Sequence, residues 1–113
     1  MAHQNVIDLI EYRLPETKTY SGRVRGEFVR RQMKLEQLDS QIEVVQIVIP
    51  ADTFSVNMSF FLGLFGDSVR TLGKHGFFEH YSFLAPAPLL RILNRYADEA
   101  LKEGMAIPES KTA

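Results

Sequence analysis

Apolar and polar positions alternate over residues 4–12, QNVIDLIEY: Val6, Asp8, Ile10 and Tyr12 fall on one side, Ile7, Leu9 and Glu11 on the other. The pattern predicts an opening strand, and a short helix would also tolerate it. Pro15 and Gly22 punctuate residues 13–22 as a loop. From Ser21, a candidate N-cap, a helix is predicted to about Leu38. Val24, Phe28, Leu35 and Leu38 share one side of it, the predicted buried side, and Arg31 falls inside that stripe. A buried charge without a partner is costly, so Arg31 must either meet a carboxylate or carry its guanidinium out to water. Residues 42–49, IEVVQIVI, are rich in β-branched side chains, apolar on both faces and closed by Pro50. They predict a central strand covered above and below.

Residues 50–57, PADTFSVN, form a turn into the most apolar segment of the chain, SVNMSFFLGLFGDSVRTLG. On a helical wheel over 58–73, Met58, Phe61, Leu62, Phe65, Val69 and Leu72 make one broad core face. Ser59, Gly63, Gly66 and Gly73 collect on a second side with Arg70. Glycine costs up to about 1 kcal/mol relative to alanine in a helix interior, so this side should admit the close approach of another backbone. Phe60 and Leu64 lie nearly opposite the core face, beside Asp67 and Thr71. Either another segment of the same domain covers them, or they form a docking surface for a partner or a second copy. Residues 74–76, KHG, end this helix; 77–84, FFEHYSFL, read as a strand; 88–103 read as a last helix with Leu89, Ile92, Leu93, Tyr96 and Ala100 buried. Gly104 closes that helix, and 105–113 read as a flexible tail. Strand, helix, strand, helix, strand, helix gives a single α/β domain over residues 1–104, a small mixed sheet of three to five strands with helices packed on it.

Composition narrows the chemistry. With 113 residues the chain suits one domain, and a formal net charge of −1 provides no field to recruit nucleic acid or an acidic membrane. It has no cysteine, which excludes disulfides, thiol nucleophiles and thiolate metal sites. No basic, apolar leader opens the sequence, and the most apolar window falls short of the ~20 residues of a spanning helix. A soluble, cytoplasmic protein is expected.

Few constellations carry chemistry. Thr53, Ser55, Asn57 and Ser59 surround a strand-to-helix turn, where free N–H groups cap the helix or favour an anion. Arg23, Arg30 and Lys34 lie along one side of the first helix with Glu27 between them, a solvated ion-paired face or a site for phosphate or an acidic partner. His75, Glu79 and His80 are the only grouping with metal-ligand residue types, and they lack a spacing that would converge. No nucleophile motif is present, and GLFGDS lacks the lysine of a phosphate-binding loop. Neither a cofactor nor a metal site is expected.

The run IPADTFSVNMSFFLGLFGDSVRTLG between two strands resembles the STAS-like domain family of unknown function from bacteria and phages. The matching positions are Asp52 in the turn, the pair Ser59-Phe60, Leu64-Phe65-Gly66 and Gly73. Upstream, YSGRVRGEFVRR is similar to the family's helix with a glycine and a following arginine, met by Gly22 with Arg25 or by Gly26 with Arg30. The likeness spans roughly residues 20–84. It implies a STAS-type α/β sandwich with a non-enzymatic signalling or adaptor role. Better-known relatives, the anti-sigma factor antagonists, dock a histidine-kinase-like ATPase and accept phosphate on a serine at the start of the corresponding helix. Here that place reads Asn57-Met58-Ser59-Phe60, so Met58 falls at the acceptor position and Ser59, one residue later, is the candidate acceptor.

Two functions follow as expectations. The first is a protein-interaction and signalling domain with a protein partner or a second copy, using neither nucleic acid nor membrane. The second is a small nucleotide- or phosphate-binding domain, or an enzyme, built on the Thr53–Ser59 turn and the basic side of the first helix.

Overall fold

The computed structural model describes the backbone of residues 5–112 and the side chains of residues 5–104. Strand β1 (Asn5–Asp8) ends where the Asp8 carboxylate accepts the Ile10 N–H at 3.0 Å and starts a 3-10 turn, Leu9–Tyr12. The opening strand therefore covers half of the expected 4–12. Then follow β2 (Thr19–Tyr20), α1 (Arg23–Met33), α2 (Leu35–Asp39), β3 (Val45–Val48), β4 (Ser55–Val56), α3 (Met58–His80), β5 (Tyr81–Leu84) and α4 (Ala87–Thr112). The last helix does not close at Gly104: its backbone continues to Thr112, so 105–112 is helical in place of the tail expected there, and the side chains of 105–113 lie outside the described residues.

The α/β class holds. The strands divide into a three-stranded sheet, β1-β3-β5, and a separate pair, β2-β4. Every pairing is parallel, so the sheet is not the mixed one expected. Strand order advances in one direction, and two successive right-handed crossovers then place α1 and α3 on the same face of the sheet. Val45, Ile47 and Tyr81 are buried on that face, with Ile7 and Phe83 packed beside them. The opposite face carries Val6 and Asp8, Gln46 and Val48, Ser82 and Leu84 in register, and Val6 and Leu84 are 48% and 57% exposed. Strand β3 is central, as expected, but among the described residues only one of its faces is covered.

Helix α3 is the hub. It packs against α1 on one side and α4 on the other while its core face meets the sheet. A Cβ at Gly26 would run into the Phe60 carbonyl oxygen, and one at Gly63 into that of Arg23, so α1 and α3 cross backbone against backbone. This is the close approach that the glycine side of α3 predicts. It also corrects two expectations. Phe60 and Leu64 are each 1% exposed, because a helix enclosed by α1, α4 and the sheet has almost no free side. They are core, Phe60 lying with its ring centroid 5.4 Å from that of Tyr20. And α1 turns inward through Gly26, Val29 and Met33, leaving Val24 and Phe28 exposed and Arg31 in water.

Local backbone explains the other departures. Gly22, with φ 93°, stands at the N-cap of α1 in place of Ser21. Lys34 takes a left-handed conformation, φ 58°, and divides the long helix expected over 21–38 into α1 and α2. Gly73, φ 79°, kinks α3 instead of ending it, so residues 77–80 are helical and the last strand is only Tyr81–Leu84. Met58, at the first position of α3, is exposed, unlike the buried Phe61, Leu62, Phe65 and Val69.

Candidate functional site

Beyond the carboxyl ends of β1 and β3, Arg13 reaches across to the turn at 50–57. Its guanidinium binds Asp52 through two nitrogens, at 2.9 and 3.3 Å, and donates to the Thr53 hydroxyl at 3.1 Å. The same group lies over the Tyr20 ring, 5.8 Å from its centroid, while the Tyr20 hydroxyl donates to the Leu9 carbonyl at 2.8 Å. Arg13 holds the Asp52 carboxyl below its ordinary value by this hydrogen bond. Thr53, the first residue of the expected anion turn, is thus spent with Asp52 on a clamp between loops. Ser55, the second, donates to the Thr19 hydroxyl at 3.3 Å, across the β2-β4 pair.

Asn57 and Ser59 remain on the first turn of α3, both exposed, and the Asn57 side chain makes no capping bond. Ser59 is open to solvent, as a phospho-acceptor must be. Among the described residues no cationic side chain bonds to it.

The basic side of α1 does not act as one surface. Arg23 pairs with Glu103 on α4 at 2.7 Å, and Lys34 forms the left-handed corner between α1 and α2. Arg30 enters a buried polar network that spacing does not reveal. Its Nη2 donates to Asp39 at 3.1 Å, and its Nη1 to the Ser68 hydroxyl and the Leu64 carbonyl, each at 2.9 Å. The Ser68 hydroxyl lies 2.7 and 2.8 Å from the two Asp39 oxygens, and the Tyr81 hydroxyl also donates to Asp39. Burial, then the hydrogen bond and charge of Asp39, push the Tyr81 phenol well above its ordinary value. Ser68 is fully buried and engaged by Asp39 and Arg30, so it has no access to a substrate. The network fastens α1, α2, α3 and β5 together.

Above it lies a cleft of about 830 Å³ between α1, α2 and α3. Arg23, Arg30, Arg31 and Arg70 line it, and so do Glu27, Glu36, Asp39 and Asp67. Equal numbers of each sign give no selective pull on an anion, and Arg70 is already held by Asp67 at 2.5 Å. Neither Ser59 nor any residue of the 50–57 turn lines the cleft, so the turn and the basic side do not converge. His75 lies 3.1 Å from Glu79, whereas the His80 ring nitrogen faces the Leu38 carbonyl at 2.7 Å; the three do not assemble, and no metal-ligand cluster occurs among the described residues. Nor is any described helix long and apolar enough to cross a membrane.

Three further features surround these sites. The uncovered sheet face presents Val6, Val48 and Leu84 around Gln46 and Ser82. A pocket of about 250 Å³ opens between the 12–21 loop and the start of α1. Val24 and Phe28 form the exposed strip on α1. No family model, curated protein or solved structure matches the chain.

Proposed function

We propose that this is a non-catalytic protein-interaction domain, of the STAS-like kind that its motifs resemble, acting as an adaptor in signalling. The docking surface is the uncovered face of the three-stranded sheet, in place of Phe60 and Leu64. One observation carries the reading: every pairing is parallel, yet only one face of the sheet has a helix layer. Parallel sheets are covered on both faces almost without exception, because their strands are apolar on both sides. Val6, Val48 and Leu84 supply such apolar positions here, with no covering layer among the described residues.

The occupant is an amphipathic helix of a partner protein. Four residues at ~3.3 Å and three strands ~4.8 Å apart make a face roughly 13 Å on a side, which suits one helix about 10 Å wide. Asp8 is the only charge on the face, and its carboxylate is occupied at the 3-10 turn. The family likeness adds a regulatory partner, such as a histidine-kinase-like ATPase, and Ser59 as the place where phosphate would be accepted. The phosphate- or nucleotide-binding reading has less support, since Asp52 and Thr53 are bound by Arg13 and the basic side lies apart from the turn.

A photo-crosslinking residue at position 84, compared with one at exposed Lys102, tests the reading in a lysate of the host. A discrete adduct at 84 and none at 102, with the crosslinked peptide lying in an amphipathic helix, is the expected result. Equal labelling at both positions, an adduct with a second copy, or none at 84 would overturn it.

A further inference from the structure

The pocket between the 12–21 loop and the start of α1 combines apolar walls with one charge. Tyr12, Leu14, Tyr20 and Phe60 line it, and Arg25 stands among them as its only charged side chain. Tyr20 and Phe60 belong to the core, so that wall is rigid. Two of the loop's hydroxyls are already committed. The Thr17 hydroxyl accepts the Thr19 N–H at 3.2 Å, and the Thr19 hydroxyl accepts from Ser55.

Arg25 is held in place without being neutralised. Its Nη2 donates to the Tyr12 carbonyl at 2.9 Å, and its guanidinium lies 5.1 Å from the centroid of the Phe28 ring. A carbonyl and an aromatic face orient a guanidinium but do not cancel its charge. Among the described residues no carboxylate lies within ion-pair distance of Arg25, in contrast to Arg13, Arg23, Arg30 and Arg70. The remaining nitrogens are the ones that would meet a ligand.

We propose that this pocket binds a small carboxylate with a compact aromatic or branched apolar body. The planar fork of arginine matches a carboxylate through two parallel hydrogen bonds. Aromatic and aliphatic walls then accept the body of the ligand, which free phosphate would lack. Size sets the upper limit. A volume of about 250 Å³ lies below the range of ~300–1,000 Å³ for drug-sized ligands, so a nucleotide does not fit. Roughly ten non-hydrogen atoms do. The site is independent of the sheet face, from which it differs in every lining residue.

The probes are 3-phenylpropanoate, 3-methylbutanoate, 3-phenylpropanamide and inorganic phosphate, titrated into the labelled protein and followed by amide chemical shifts. Saturable shifts confined to residues 12–25 are expected with the two carboxylates. The amide and phosphate should bind at least about tenfold more weakly, the difference that a lost charge-assisted hydrogen-bond pair produces. Arg25→Gln should weaken the carboxylates by about the same factor with an unchanged melting curve. Ser21→Phe, which narrows the same pocket from an exposed position, should abolish the shifts, and it decides the matter if the arginine variant does not fold. Equal binding of acid and amide, binding unaffected by either substitution, shifts centred elsewhere, or none at about 10 mM would each overturn the proposal.

Discussion

The two faces of the three-stranded sheet, one almost wholly apolar and the other half apolar and half polar, meet opposite fates. On one, Val45, Ile47 and Tyr81 are buried beneath the helix layer whose α3 contacts β5. On the other, Val6 and Leu84 stand half exposed beside Gln46, Val48 and Ser82. Strand sequence distinguishes them in part: β3 turns Val45 and Ile47 to the first face and Gln46 and Val48 to the second. The rest is connection: crossovers advancing in one direction send both helices to the same side. A half-apolar face with no covering layer among the described residues offers a place for a layer from outside. One sealed by its own helices sets stability instead.

The sharpest way to break this contrast is to cut into the sealed side. The Phe65 ring lies within 6 Å, centroid to centroid, of Phe61, Phe77, Tyr81 and Phe83, at 5.5, 5.4, 5.9 and 5.5 Å. Phe65→Ala should therefore cost about 3–5 kcal/mol in denaturant unfolding, a large part of the ~5–15 kcal/mol of a typical domain. A midpoint unchanged by this substitution would remove α3 from the sheet.

A smaller effect comes from pH. The Tyr81 phenol titrates above its ordinary value in the fold, through burial and the neighbouring Asp39, and burial raises Tyr20 as well. A raised folded-state value favours the neutral phenol in the native protein. That contribution is complete below about pH 10, where the unfolded chain titrates, and is lost as pH rises beyond it. Denaturant midpoints should fall above pH ~10, and Tyr81→Phe should flatten the fall in part, leaving the share of Tyr20. An equally steep decline in the variant would show that Tyr81 is not sealed.

Legibility in the sequence followed the range of the interaction. Local signals worked: the β-branched run gave β3, the wheel gave Phe61, Leu62, Phe65 and Val69, and the glycine side of α3 announced a close neighbour. What failed needed the partner to be known. Both sides of α1 carry apolar residues, and the choice fell to Gly26 because it alone permits contact with Gly63. Phe60 and Leu64 looked peripheral only because a single-helix wheel contains no α1 or α4. Of the two outcomes open to Arg31, a carboxylate partner or an exit to water, the second holds. Arg31 is solvated, and its neighbour Arg30 meets Asp39. Asp39, Ser68 and Tyr81 join across 29 and 42 positions, and no spacing rule connects them. Arg13 with Asp52, 39 positions apart, escaped for the same reason.

The least disruptive substitution is the most direct probe of the bare face. Phe83 and Leu84 are consecutive on β5, so their side chains point to opposite sides of the sheet. Phe83 packs against the core cluster, with Phe65, Phe77 and Phe78 around its ring, whereas Leu84 is 57% exposed. A lysine at 84 gains water for its charge and loses little burial, and β5 is an edge strand, where lysine is well tolerated. Leu84→Lys should shift unfolding free energy by no more than about 0.5 kcal/mol. Phe83→Lys, one position earlier, should cost more than about 2 kcal/mol, because it drives an ammonium group among aromatic rings. Paired urea titrations of the two variants measure this difference directly. If Leu84→Lys proves as damaging as its neighbour, something in the folded chain already covers that face, and no room is left there for a partner's helix.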